Sequence, residues 1–77
     1  MTKPDLPRYC IVGERPVKAI ETEDGGMDVQ GYDWKTGDFV RAMNHLTDVM
    51  MPDGEVEVVT EAVFEAHVQR LRAQLLH

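Results

Sequence analysis

The sequence predicts an α+β fold. The expected architecture is a small antiparallel β-sheet of three to four strands, built from β-hairpins and packed by a C-terminal amphipathic α-helix, with a short helical segment near 44–50. Three observations carry this reading. Strand-type runs are separated by tight-turn signals, the clearest being Asp24-Gly25-Gly26. From Thr60 onward, Phe64, Val68, Leu71 and Leu75 recur at helical spacing and form one apolar stripe. The length of 77 residues suits one domain.

Residues 1–7 contain Pro4 and Pro7 and read as a flexible N-terminal arm, leaving 8–77 as the single α+β domain. Tyr9-Cys10-Ile11-Val12 is a short strand-type run, broken by Gly13-Glu14-Arg15-Pro16. Val17 to Glu23 reads as a second strand with imperfect phase. Val17 and Ala19 share one face and Ile20 takes the other, so the strand carries a bulge or has apolar contacts on both faces. The pair Gly25-Gly26 provides the left-handed positions that a tight hairpin needs. Met27-Asp28-Val29-Gln30 alternates strictly and begins the third strand, near 27–34. Asp33 and Gly37 then suit a second turn, with a strand near 38–42.

Two readings compete over 38–50: strand then helix, or one helix capped by Asp38. The first is favoured, with Asn44 as N-cap of a stretch that ends before Pro52-Asp53-Gly54. Glu55-Val56-Glu57-Val58-Val59 reads as a short edge strand guarded by glutamates, or as an extended connection. Thr60 then caps a helix to about Leu76, a rod about 24 Å long. The expected core comprises Ile11, Val12, Val17, Ile20, Met27, Val29, Phe39, Leu46, Val49, Val56, Phe64, Val68, Leu71 and Leu75.

Composition narrows the function classes. Fourteen acidic and eight basic side chains give a net charge of −6, with the basic residues scattered. That balance opposes nucleic-acid binding, which relies on clustered Lys and Arg. The same charge would permit mimicry of nucleic acid, although the scattered basic residues dilute any continuous acidic face. Apolar runs such as Val49-Met50-Met51 are far short of the roughly 20 residues of a membrane span, so no membrane association is expected. Met1 to Pro7 lacks the apolar stretch of a signal peptide, and a cytoplasmic location is expected. Cys10 is the sole cysteine, which excludes an intrachain disulfide.

No catalytic constellation emerges. Cys10 lies in an apolar run with only Arg8 nearby to favour a thiolate, so it reads as a half-buried strand residue. His45 and Asp48 are three apart and share a helix face, the spacing of two metal ligands. A zinc site needs three or four ligands, and no complementary pair stands out. His67 and His77 read as structural or solvated. Glu21, Glu23, Asp24 and Asp28 surround the first hairpin without the offsets of a calcium loop, and read as a solvated acidic rim. Neither a Walker A pattern nor a dinucleotide fingerprint is present. No cofactor is expected.

Gly13-Glu14-Arg15-Pro16-Val17-Lys18, Asp24-Gly25-Gly26-Met27-Asp28-Val29 and Tyr32-Asp33-Trp34-Lys35-Thr36-Gly37 together resemble the phrasing of short uncharacterised bacterial proteins of unknown function. The resemblance spans most of the chain. It implies a compact stand-alone domain and brings no catalytic or binding residues with it.

Tyr32 and Trp34 share strand parity beside a turn. On a sheet face left open by the single long helix they would form an aromatic contact patch. The structural alternative is that Trp34 caps the end of the core. The expected role is therefore a non-enzymatic interaction or regulatory protein whose partner is another protein or a second copy. The alternative is a small metal-dependent enzyme or accessory protein using His45 and Asp48.

Overall fold

The computed structural model describes residues 6–75. Five strands form one antiparallel sheet: β1 (Arg8–Val12), β2 (Arg15–Glu21), β3 (Met27–Tyr32), β4 (Phe39–Arg41) and β5 (Val56–Val59), in the order β4-β3-β2-β1-β5. A 3-10 turn, Met43–His45, runs into α1 (Leu46–Met50), and α2 (Glu61–Leu75) closes the described chain. The α+β class is as expected, with five strands in place of three to four. The difference is β5, which pairs with β1 and is no mere connection. Of the expected 1–7 arm, only Leu6 and Pro7 lie within the described residues, and Leu6 packs on the core around Cys10.

Local chemistry explains the turns. Asp24 Oδ1 accepts from the Gly26 N–H at 3.1 Å and from the Thr22 hydroxyl, closing the β2–β3 loop. Of its glycine pair, Gly25 alone takes a left-handed φ, at 82°. Asp33 organises the β3–β4 loop: its side chain accepts from the Lys35 N–H at 3.0 Å and the Thr36 hydroxyl at 3.2 Å. Its backbone exchanges with Gly37 and Asp38 at 2.9 and 2.8 Å. Thr60 caps α2 as expected, accepting the Val63 N–H at 3.3 Å. Asn44 does not cap α1. It sits inside the 3-10 turn, and neither that turn nor α1 has a side-chain cap. Over 38–50 the chain is therefore strand, then 3-10 turn, then helix.

Both sheet faces are covered, which accounts for the imperfect phase of β2. One face carries Cys10, Val17, Ala19 and Val29 with Val49 from α1. The other carries Tyr32, Phe64 and Val68, flanked by Tyr9, Phe39, Val59 and Leu71. The rings of Tyr9 and Phe39 lie 4.9 and 5.7 Å from that of Phe64. The core differs from expectation in two respects. Cys10 is fully buried, and Ala19, Tyr32 and Ala42 join it, while Leu75 at the end of the stripe is 42% exposed. The helix outruns the sheet it covers, and only Phe64 and Val68 on it are buried.

One repair in the sheet fixes the path of the Arg15 side chain. In an antiparallel pair, alternate residues bond to the neighbouring strand. The Thr22 N–H bonds to the Gly26 carbonyl at 3.0 Å, and this phase carries through Ile20 and Lys18 to Pro16. Pro16 would face Tyr32 but has no N–H to give. The Arg15 Nε donates to the Tyr32 carbonyl at 3.0 Å in its place. To arrive there the guanidinium crosses Gly31. A Cβ at that position would lie 2.8 Å from Arg15 Cζ, so only glycine leaves room.

Candidate functional site

Two polar assemblies lie outside the apolar core. The first is the β3–β4 hairpin end, which carries both predicted contact residues. Tyr32 is 1% exposed and belongs to the core beneath α2 rather than to a surface. Trp34 is 48% exposed and stands edge-on to the Tyr32 ring, at 5.3 Å and 78°. The structure thus brings the two rings together, with one as foundation and the other as surface. The turn that presents Trp34 is fixed by Asp33 from within. It is also fixed from α2, where the Arg72 Nε donates to the Gly37 carbonyl at 2.9 Å.

An open cleft of about 300 Å³ adjoins this end, lined by Thr36, Gly37, Asp38, Arg72 and Leu75. The Tyr32 hydroxyl lies buried beside Gly37, without a hydrogen-bond partner among the described residues. Desolvating a hydroxyl without compensation is costly, so the hairpin end carries an unfavourable polar burial.

The second assembly joins β2 to the α1 segment. His45 Nδ1 lies 2.9 Å from Asp48 Oδ2, so the residues three apart do meet. His45 Nε2 lies 3.0 Å from Arg15 Nη1. Arginine only donates, so Nε2 accepts and the ring proton sits on Nδ1, directed at Asp48. Both ring nitrogens are therefore engaged inside the protein. A metal ion or a substrate proton at His45 would have to displace Arg15 or Asp48. Among the described residues, no group of three His, Cys, Asp or Glu side chains is placed to hold a metal ion. As arranged, the chain from Tyr32 through Arg15 and His45 to Asp48 is a tether. A second tether comes from Arg8, whose Nη1 donates to the Val49 carbonyl at 2.9 Å.

The remaining candidates are distributed singly. Burial pushes the Cys10 thiol up against the lowering influence of Arg8, with Asp48 adding to the rise, which keeps the sulfur protonated at neutral pH. His67 Nε2 lies 2.7 Å from the Glu14 carbonyl and so donates to it, holding α2 to the β1–β2 turn. His77 lies outside the described residues. In the acidic rim, Asp28 Oδ1 pairs with Arg41 Nε at 3.5 Å. Asp24, held below the usual carboxylate range by the Thr22 hydroxyl and the Gly26 N–H, closes its own loop.

Sequence reasoning missed Arg15. Its signals were present in the proline that comes after it and in the glycine of β3, a residue type that in a strand often marks a close approach. Among the described residues, no helix is long and apolar enough to cross a membrane. Comparisons with protein-family models, curated proteins and solved structures found no match to this chain.

Proposed function

We propose that this chain is a non-enzymatic protein-binding domain that docks through the β3–β4 hairpin, with Trp34 as its anchor. One observation carries the reading: a half-exposed tryptophan stands on a buried tyrosine, on a turn braced by Asp33 and Arg72. Tryptophan is among the residues that dominate interface energies, and a rigid mount spares the entropy of ordering it on binding. The adjoining cleft, with Arg72 and Leu75 on its wall, gives a partner both polar and apolar ground.

The test compares affinity capture from native extract by the wild type and by Trp34→Ala. The variant should keep its fold, because Trp34 lies outside the buried core, and should lose the captured partner. Trp34 is the sole tryptophan, so its fluorescence reports contact at this place when the purified partner is added. An identical captured set from both baits, with unchanged Trp34 emission, would remove the reading. Light scattering over a concentration series separates a foreign partner from a second copy.

A further inference from the structure

We propose that the edge of β5 left unpaired among the described residues accepts an extended, basic segment of another protein, which adds to the sheet as a further strand. This concerns a different surface from Trp34 and does not depend on it.

The hydrogen-bond phase of β5 is set at its start, where the Gly13 N–H bonds to the Glu55 carbonyl at 3.0 Å. By antiparallel alternation, Glu57 and Val59 then bond to Ile11 and Tyr9 of β1. Val56 and Val58 therefore turn their backbone groups outward. The Val56 N–H is taken by the Asp53 carbonyl at 2.7 Å. What remains facing out is the Val56 carbonyl and both groups of Val58, a residue that is 51% exposed. At the end of this strand, where β5 meets the start of β1, lies an open groove of about 420 Å³, lined by Pro7, Arg8, Tyr9, Val58, Val59, Thr60 and Glu61.

The charge around the edge selects the occupant. Glu55 and Glu57 are exposed on or beside the strand, and Glu61 begins α2 at its end. Glu61 and Glu65 stand close enough to Tyr9 to raise its pKa, after burial as the first cause. Arg8 is the basic residue of the groove, and its Nη1 is spent on the Val49 carbonyl.

A second copy is a poor occupant. Centring a two-fold on Val58 brings Glu55 towards the start of the other copy's α2, where Glu61 lies. Centring it on Glu57 sets that residue against itself, and centring it on Val56 sets Glu55 against Glu57. Like charges directly opposite are destabilising. A strand with Lys or Arg opposite Glu57 and an apolar residue beside Val58 meets the same edge favourably.

The test uses a soluble peptide of about eight residues, a usual strand length, alternating valine and lysine. A valine–glutamate peptide serves as control. Binding to the full chain is followed by backbone NMR. The lysine peptide should shift Val58 and slow hydrogen exchange of its amide about tenfold, and the glutamate peptide should do neither. Raising salt from about 0.05 to 0.5 M should weaken binding several-fold, since the complementary charges are exposed.

Val58→Pro removes the outward N–H and leaves the bonds to β1 in place, so it should abolish binding. Glu57→Lys keeps the backbone intact and should weaken binding of the lysine peptide whether or not the proline variant folds. An unprotected Val58 amide at millimolar lysine peptide would overturn the proposal. Equal binding of the two peptides would overturn it too, and would leave the glutamates as guards against strand pairing alone.

Discussion

On one face of the sheet a 15-residue helix inserts Phe64 among the rings of Tyr9, Tyr32 and Phe39. On the other, a 3-10 turn and a five-residue helix cover Cys10, Val17, Ala19 and Val29 with a single buried side chain, Val49, from α1. The long helix is held by apolar contact over the aromatic cluster, with His67 on the Glu14 carbonyl and Arg72 on the Gly37 carbonyl as added ties. The short one presents too little surface for that and lacks side-chain caps, so it is tied down by arginines. Arg8 reaches the Val49 carbonyl and Arg15 reaches His45. Both covers carry directional bonds, but the short one has a single buried side chain of α1 beside them, whereas the long one adds them to a larger apolar area.

The largest effect should come from Phe64→Ala. It removes the ring that α2 inserts among Tyr9 and Phe39, and should cost about 3–5 kcal/mol. Denaturant unfolding should show a lower midpoint, and hydrogen exchange should quicken across the whole sheet. If only α2 amides respond, the helix is an appendage and the contrast between the faces fails.

Arg15→Met comes next. It keeps the length of the stem but leaves the Tyr32 carbonyl and His45 Nε2 without their donor, a loss of about 1–3 kcal/mol. Its signature is local: amides of the α1 segment should exchange faster than those of β1 and β2. Gly31→Ala should reproduce this by excluding the guanidinium. Uniform loss of protection in both variants would mean that the short cover is not an independent unit.

The smallest effect concerns pH. Burial holds the Cys10 pKa above its ordinary value, so the folded state binds that proton more tightly than the unfolded state does. The contribution is complete below the ordinary thiol value of about 8.5. It is lost as pH rises through the higher native value. Tyr9 on the opposite face adds a slope of the same sign, its pKa raised first by burial and then by Glu61 and Glu65. Denaturant midpoints measured between about pH 7 and 10 should therefore fall less steeply in Cys10→Ala than in the wild type. Equal slopes would show that the short cover admits water to the sulfur.

Much of the fold was legible because it is written in local rules. Asp24, Asp33 and Thr60 each make the turn or cap that their side chains allow, and the stripe Phe64–Val68–Leu71 finds the sheet. What escaped depends on contacts distant in sequence. Whether Val56–Val59 was strand or connection turned on its pairing with β1, more than forty positions away. Tyr32 was legible as an aromatic on the same face as Trp34, but not as the buried one, because burial depended on where α2 lies. His45 and Asp48 were legible as a pair; the third member, Arg15, sits 30 positions from His45 and announces itself only through Pro16 and Gly31.

That substitution of a side-chain donor for a missing backbone one has an evolutionary consequence. Pro16 creates the vacancy in the ladder, Arg15 fills it, Gly31 leaves the path open and His45 accepts what remains of the guanidinium. While Pro16 stays, Arg15 cannot drift without leaving an unmet carbonyl and an unpaired ring nitrogen, and Gly31 cannot drift without a clash. In diverged copies of this chain that keep proline at 16, positions 15 and 31 should therefore stay fixed. A copy with an ordinary residue at 16 would be released from needing either.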